Sequence, residues 1–544
     1  MLCNILYISH ESTLGGATQS LLNMLKVVKK NIMPTVIIPD NGMIEGHLVN
    51  MNIKYYIVPY VNGYGRIGTG SQEKDNEIFL DNYQAALQIL DIIQREEIDL
   101  VHINSSVTNV GAIAALLADI PYVWHLREFL EEDFRKEFWD KGFKRQLLGG
   151  ASEIITISHA VSEAYNKKYD IDSVCIYNGL DIENYKDDLM ELSEDALQRF
   201  IIIGSIMPGK GQFEAIKAME LLLDEGYKNI HLALIGQGAE YFRWIVKQYI
   251  SKKNLESYID IIPFQKNLRA YRKQCQYALT TSRMEALGRS TIEAMLAGNI
   301  VIGANTGGTK EIIGENETRG YLYEQGNYVN LAAVMKRVMA EGAEKKKKCR
   351  EEAQRYAEET FSSETYADRI CELYEKVIRS YSKQEADGKR DFVEELNKRY
   401  ENLREMSTIK QFKGSDLKVF LTKWSNLTGQ NIRLGDILIK NDYNKVAIYG
   451  MGNLGCKLYE DLKLSKVEIP YVIDKNPEYL EEILVVKRPD DIPTGIDVVV
   501  VTVLQEEDEI VRRYQEQYGC CALGITRLID MALEQNDNLM RKYI

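Results

Sequence analysis

Short runs rich in Ile, Val and Tyr recur along this chain, separated by stretches of helical periodicity. That alternation constrains the fold more than any other feature. Candidate strands are Asn4–His10, Thr35–Pro39, Lys54–Pro59, Leu100–Asn104, Tyr122–Arg127, Glu153–Ser158 and Val174–Asn178. Strands buried on both faces read as continuous apolar runs, and strands alternating with helices predict parallel sheets covered by helices. The pattern pauses in the acidic stretch Asp181–Asp195. It restarts with strands at Phe200–Ser205, His231–Gly236, Ile259–Phe264, Tyr277–Ser282, Asn299–Gly303 and Gly320–Tyr323. Thr365–Tyr381 reads as an amphipathic helix with Ala367, Ile370, Leu373, Tyr374 and Val377 on one face. Ser382–Lys440 is highly charged and helical in pattern, without a sustained heptad, and reads as a helical connector. A third α/β unit begins at Lys445, with strands at Lys445–Tyr449, Pro470–Ile473 and Asp497–Thr502 and a helix at Gly455–Leu462. The expected domains are 1–192 (packed also by helix 365–381), 193–361, the connector 382–440 and a small module 441–544.

The 544 residues are too many for one core, and a net charge of −13 argues against nucleic acid as a partner. The eight cysteines include no C-x-x-C pair, which points to a reducing compartment without structural zinc, and no metal site is expected. No segment approaches the ~18 apolar residues of a membrane span, and Asn4–Ser9 reads as a strand rather than a leader. The expected location is the cytoplasm.

The chemistry concentrates in Ser282-Arg-Met-Glu285-Ala-Leu-Gly288-Arg289-Ser290-Thr291-Ile-Glu293-Ala-Met-Leu-Ala-Gly298. It follows a candidate strand, so Glu285 falls in a strand-to-helix loop and the helix begins near Arg289. The N–H groups of Gly288, Arg289, Ser290 and Thr291 then lie at a helix N-terminus, which attracts phosphate. Glu293, one turn inside, suits a ribose diol, and Glu285 suits a sugar. Gly204-Ser205-Ile-Met-Pro-Gly-Lys210-Gly211 occupies another strand-to-helix loop, where Lys210 balances a diphosphate leaving group. Gly15-Gly16 after the first strand permits close backbone approach, which makes Gly16 a ligand-contact candidate. His125 ends a strand as a candidate hydrogen-bond donor to a sugar. His102 reads as a buried, satisfied histidine, and Asn178-Gly179-Leu180-Asp181 as a boundary turn.

Together the Glu285-x7-Glu293 spacing, the Gly204…Lys210-Gly211 loop, the Gly-Gly turn and the Asn-Gly-x-Asp turn resemble glycosyltransferase family four. The likeness covers about Asn4 to Tyr381. It implies the GT-B fold: an α/β architecture of two facing Rossmann-like domains, followed here by the helical connector and a third small Rossmann-like domain. It further implies that Glu285 contacts donor-sugar hydroxyls and Glu293 the ribose. Lys210 and the Arg289-Ser290-Thr291 backbone hold the diphosphate, Gly16 nears the phosphates, and His125 lies beside the sugar. The family often carries Arg where this chain has Ser205, so a diphosphate cation is missing unless Arg283 or Arg289 supplies it. The implied reaction is retaining, metal-independent hexosyl transfer from a nucleotide-diphosphate sugar. A UDP-sugar is favoured over a GDP-sugar, and the acceptor is a glycan or lipid-linked glycan in bacterial surface or exopolysaccharide synthesis. The alternative is a non-catalytic scaffold of a polysaccharide-assembly complex.

Gly450-Met-Gly452-Asn-Leu-Gly455 fits G-x-G-x-x-G, with Asp474 ending the next strand. Dinucleotide binding by Gly450, Gly452, Gly455 and Asp474 competes with a structural or docking role, and NAD is disfavoured. Finally, the aromatic and basic stretch from Phe134 to Leu148 suits either a surface helix or peripheral contact with the inner face of the membrane.

Overall fold

The structure is a computed structural model that describes residues 3–133, 135–189, 197–381, 389–406, 423–425, 427–430 and 432–535. The acidic pause and the first domain boundary, and much of the connector, fall partly outside the described residues.

All seven strands expected in the first third form one parallel sheet. They are β1 (Cys3–Ile8), β2 (Ile32–Ile38), β3 (Lys54–Ile57), β5 (Leu100–Ile103), β6 (Tyr122–Leu126), β8 (Glu153–Thr156) and β9 (Val174–Cys175), in the order β3-β2-β1-β5-β6-β8-β9. Two strands of three residues each, β4 (Tyr64–Arg66) and β7 (Lys136–Phe138), pair antiparallel beside it. They correct the reading of the Phe134–Leu148 stretch as a surface helix throughout. The stretch is β7 followed by the helix Lys141–Gly149, with Phe138, Phe143, Leu147 and Leu148 buried. Even Lys144 is buried, its ammonium 3.6 Å from the Trp124 ring centroid and 3.2 Å from Asn109 Oδ1. Among the described residues of the stretch, these side chains serve packing.

The next six expected strands are β10 (Gln198–Ile203), β11 (Ile230–Ile235), β12 (Ile259–Ile262), β13 (Tyr277–Thr280), β14 (Ile300–Ala304) and β15 (Tyr321–Tyr323), ordered β12-β11-β10-β13-β14-β15. The first half is completed from far away in sequence. Helix Ser363–Ser380 returns to it and buries Tyr366, Ala367, Ile370, Leu373, Tyr374 and Val377 in the same cluster as Ile5, Val36 and Ile155. Each such buried aliphatic side chain stabilises the fold by about 1.5–3 kcal/mol. The chain's outward and return crossings are bonded side by side: Leu180 N–H donates to Phe361 O at 2.8 Å, and Ser363 N–H to Leu180 O at 3.0 Å. Gly179 is required there, because a Cβ would stand 2.7 Å from Ser363 Cα.

Packing separates the chain into two units. The first holds both sheets above and the helix Arg390–Met406, which uses its apolar face within the chain: Tyr400 stacks on Tyr83 at 4.2 Å, and Arg399 lies over Phe79 and pairs with Asp140. The second unit holds Ser205–Met207, Gln237–Ile259 and a third sheet. Its strands are β16 (Val446–Tyr449), β17 (Val472–Ile473), β18 (Val486–Lys487), β19 (Val498–Val501) and β20 (Ala522–Gly524), all parallel in the order β18-β17-β16-β19-β20. Within this unit helix Glu240–Lys252 packs on helix Asn453–Leu464, with Trp244 and Tyr459 rings 5.3 Å apart. Counted within each sheet, the strand order begins 3-2-1-4 in all three. Such sheets bind ligands outside the carboxyl ends of their strands, at the switch between the first and fourth.

Candidate active site

In the second half the switch lies between β10 and β13, and the loops after both strands meet there. After β10 the chain passes Gly204 and a short 3-10 turn, Pro208–Lys210, before helix Gln212–Asp224. Gly211 cannot be another residue: its φ is +69°, and a Cβ would lie 1.9 Å from Thr281 O. That contact brings Lys210 to the β13 loop. Its ammonium donates to Glu285 Oε1 at 2.8 Å, and Ser282 Oγ donates to the same oxygen at 2.6 Å. Burial opposes the lysine's charge, but Glu285 and Asp133 outweigh burial and hold the ammonium above its usual range.

Asp133 comes from the first half, and no motif marked it. Burial, opposed by Lys210 and reinforced by Glu285, pushes its carboxyl up to about 6. Arg283 fixes this segment by donating to the Glu132 and Asp133 carbonyl oxygens at 3.2 and 2.6 Å. A second tie between the halves runs from Ser158 Oγ to the carbonyl of Ala286, inside the Glu285 loop.

Gly288 caps helix Arg289–Leu296 with φ +90°. The N–H groups of Arg289 and Ser290 precede the helix's own hydrogen-bond ladder and face its N-terminus. Thr291 departs from expectation: its N–H donates to Gly288 O, and its hydroxyl lies 3.0 Å from the Thr280 hydroxyl in the core. Glu293 is where the sequence put it, one turn inside, but it is paired. Arg289 Nε reaches its Oε1 at 2.8 Å, and the buried Arg272 reaches its Oε2 at 2.5 Å. Arg289 also donates to Gln19 Oε1 in the first half and to the Tyr185 hydroxyl, at 2.9 and 2.8 Å. Arg272 and Tyr185 escaped sequence reading because their helix and loop carry no motif.

Ser205 is exposed. Neither candidate replacement cation is idle: Arg283 is engaged by two carbonyls and Arg289 by three side chains.

At the Gly-Gly turn, Gly16 opens helix Gly16–Val28, and a Cβ there would meet nothing within 4 Å. Gly15 is crowded instead by Glu11, whose carboxylate accepts from Thr18 Oγ1 at 3.1 Å. An anion already sits beside this helix N-terminus, a neighbour that no motif announces.

His125 is fully buried. Arg127 Nη2 lies 3.1 Å from its Nδ1, and guanidinium only donates, so Nδ1 accepts and the ring proton belongs on Nε2. Burial, with Arg127 and His102 adding, keeps the ring neutral. Its Nε2 is buried without a protein partner among the described residues. His102 is buried as expected but only half satisfied: Nδ1 lies 2.7 Å from the Tyr374 hydroxyl, while Nε2 has no partner among the described residues.

In the third sheet, Gly450 has φ +93°, and a Cβ on Gly455 would stand 2.1 Å from Gly450 O, so the loop folds tightly. Asp474 accepts from Met451 N–H and Asn476 N–H, both at 2.7 Å, and so fastens the loop it was expected to serve as a ligand contact. Tyr241 N–H donates to Asn453 Oδ1 at 3.2 Å at the start of the following helix.

Two doubly wound sheets in one unit, joined by the returning helix Ser363–Ser380, make up the GT-B fold. Residues 14–184 match the family described as Glycosyltransferase Family 4, and residues 189–356 match Glycosyl transferases group 1. Anabaena Alr3699/HepE, solved in complex with UDP, has the same fold at 22% identity and a TM-score of 0.57, covering 69% of this chain and 100% of that one. A glycosyltransferase from Rickettsia africae matches at 19% identity and 0.57, covering 70% and 99%. Spore coat protein SA of Bacillus subtilis is 19% identical over 306 residues, 52% of this chain and 80% of its own length. The chain is therefore a family-four-like glycosyltransferase that carries an added C-terminal Rossmann-like module.

Proposed function

We propose that the protein transfers a hexosyl group from a UDP-sugar to a glycan or lipid-linked glycan with retention of configuration, in bacterial surface or exopolysaccharide synthesis in the cytoplasm. GDP-sugars are the alternative donors. The observation that carries this reading is the Lys210–Glu285 pair at the switch point beside the helix N-terminus of Arg289 and Ser290. The leaving diphosphate lies against Lys210 and those N–H groups, which stabilise the charge that develops as the glycosidic bond breaks. Glu285 turns from Lys210 to the sugar hydroxyls, and the Nε2–H of His125 donates to a sugar oxygen. The acceptor attacks from the face the diphosphate leaves, and a diphosphate oxygen takes its proton. Fixed donors supply the electrostatics, so the proposed chemistry calls for no metal. Glu293, freed from one of its two arginines, takes the ribose diol, and Gly16 nears the phosphates. The proposed domains are those of the sequence analysis, 1–192, 193–361, 382–440 and 441–544.

Related proteins support the donor and acceptor classes. Anabaena HepE was solved with UDP-glucose, and a mutant of S. aureus TarM, 12% identical, was solved with Fondaparinux, alpha-GlcNAc-glycerol and UDP. A second reading, the non-catalytic scaffold, draws on exposed Ser205 and on the engagement of Arg283 and Arg289. One experiment separates them: release of free nucleoside diphosphate from UDP-, GDP- and ADP-sugars with EDTA present, for the wild type and Glu285→Ala. The transferase releases diphosphate from one donor with the α-anomer of the sugar formed first by NMR, and the variant does not. Absence of both release and calorimetric nucleotide binding selects the scaffold.

A further inference from the structure

One cluster outside the donor site joins the halves through side chains of three chemical kinds. His159 opens helix His159–Tyr169, Cys175 ends β9, and Glu311 lies on helix Gly307–Ile313 of the second half. Their ligand atoms all lie within 4.8 Å of one another, the one such group of three among the described residues. The carboxylate of Glu311 is already oriented: it accepts from His159 N–H at 3.1 Å, Ala160 N–H at 3.2 Å and the Tyr177 hydroxyl at 2.6 Å. His159 is exposed, so an ion has a path in, while Cys175 and Glu311 are half-buried.

We propose that His159, Cys175 and Glu311 bind a divalent transition-metal ion, zinc by the chemistry of the set, as a clamp between the two halves. An imidazole, a thiolate and a carboxylate are all zinc ligands, and the soft sulfur selects against magnesium and calcium. Ligand atoms about 2.0–2.3 Å from one tetrahedral ion stand roughly 3.5 Å apart, within a small side-chain rotation of the observed spacing. Water takes the fourth position. The Tyr177 hydroxyl holds the ligating carboxylate as outer-shell partners do. The ion forms its bonds one residue from the Ser158–Ala286 hydrogen bond, so it fastens the halves beside the Glu285 loop without entering it. No spaced motif announces this site, because its ligands are not neighbours in the chain.

The test is cobalt titration of the demetallated full chain, with zinc as competitor. Wild type takes up one Co2+ with a near-ultraviolet thiolate-to-cobalt band that zinc abolishes. Cys175→Ser removes the band, which assigns it among the eight cysteines. His159→Gln, a change at an exposed position, weakens binding while far-ultraviolet circular dichroism stays unchanged. Tyr177→Phe weakens it by about 10-fold. A wild type without a thiolate band, or a band that survives in Cys175→Ser, overturns the proposal. This readout does not involve turnover, so it stands or falls apart from the proposed transfer reaction.

Discussion

The glycine loops after β10 and after β16 sit at the same switch point of sheets with the same strand order, yet they use their polar groups in opposite ways. The β16 loop closes on itself. Asp474 holds Met451 N–H, Thr502 Oγ1 donates to Gly450 O at 2.5 Å, and Asn453 is taken by Tyr241. The β10 loop instead exports a cation, and Lys210 finds its partners on other segments, Glu285 after β13 and Asp133 from the first half. A shared topology thus fixes where a ligand can approach. Side chains from neighbouring loops decide whether charge is left there to meet it.

That contrast can be broken. The largest expected effect is on turnover: Lys210→Ala lowers diphosphate release about 10²–10³-fold, the cost of losing one preorganised donor to a leaving group. Asp474→Ala leaves the same rate unchanged, and an equal fall in both variants would erase the distinction. Next comes Asp133. Its carboxyl keeps a proton to about pH 6 when folded, against 3.8 for an ordinary aspartate. The folded state therefore holds more protons between those values, and stability falls as pH rises through them. Asp133→Asn removes that loss. It should match wild type below the window and exceed it by about 3 kcal/mol above it, by denaturant titration across pH. A difference independent of pH would show that burial does not raise the Asp133 carboxyl.

Smaller still, Asp474→Ala should cost the C-terminal module about 1 kcal/mol for each backbone N–H left without its acceptor, read from the thermal transition of the full chain. The smallest effect concerns the missing cation. Ser205→Arg should tighten UDP binding by less than about 1 kcal/mol, roughly fivefold at most, because the position is exposed. Unchanged calorimetric affinity would mean that Lys210 and the helix N-terminus suffice.

The sheets were legible because buried parallel strands write themselves as apolar runs of local sequence. The pair β4–β7 was not, since strands of three residues carry no period, and Lys136–Phe138 lies in a stretch whose aromatics mimic a helix face. The site divides the same way. Glu285, Lys210 and Gly288 sit in loops next to strand ends, where local sequence dictates geometry. Asp133, Arg272 and Tyr185 reach their partners only through tertiary packing, so nothing near them in the chain announces it. The pairing of Glu293 with two arginines belongs to the same class: its position on the helix was readable, and its engagement was not.

The side-by-side crossings at Leu180 and Ser363 make the second half an insertion within the first. On the ribosome, therefore, the first sheet emerges early but cannot finish. The apolar surface around Ile5, Val36 and Ile155 stays open until the whole second half has been synthesised and helix Ser363–Ser380 arrives to cover it. A nascent chain halted before that helix should expose this patch to chaperones, however well its own strands have paired.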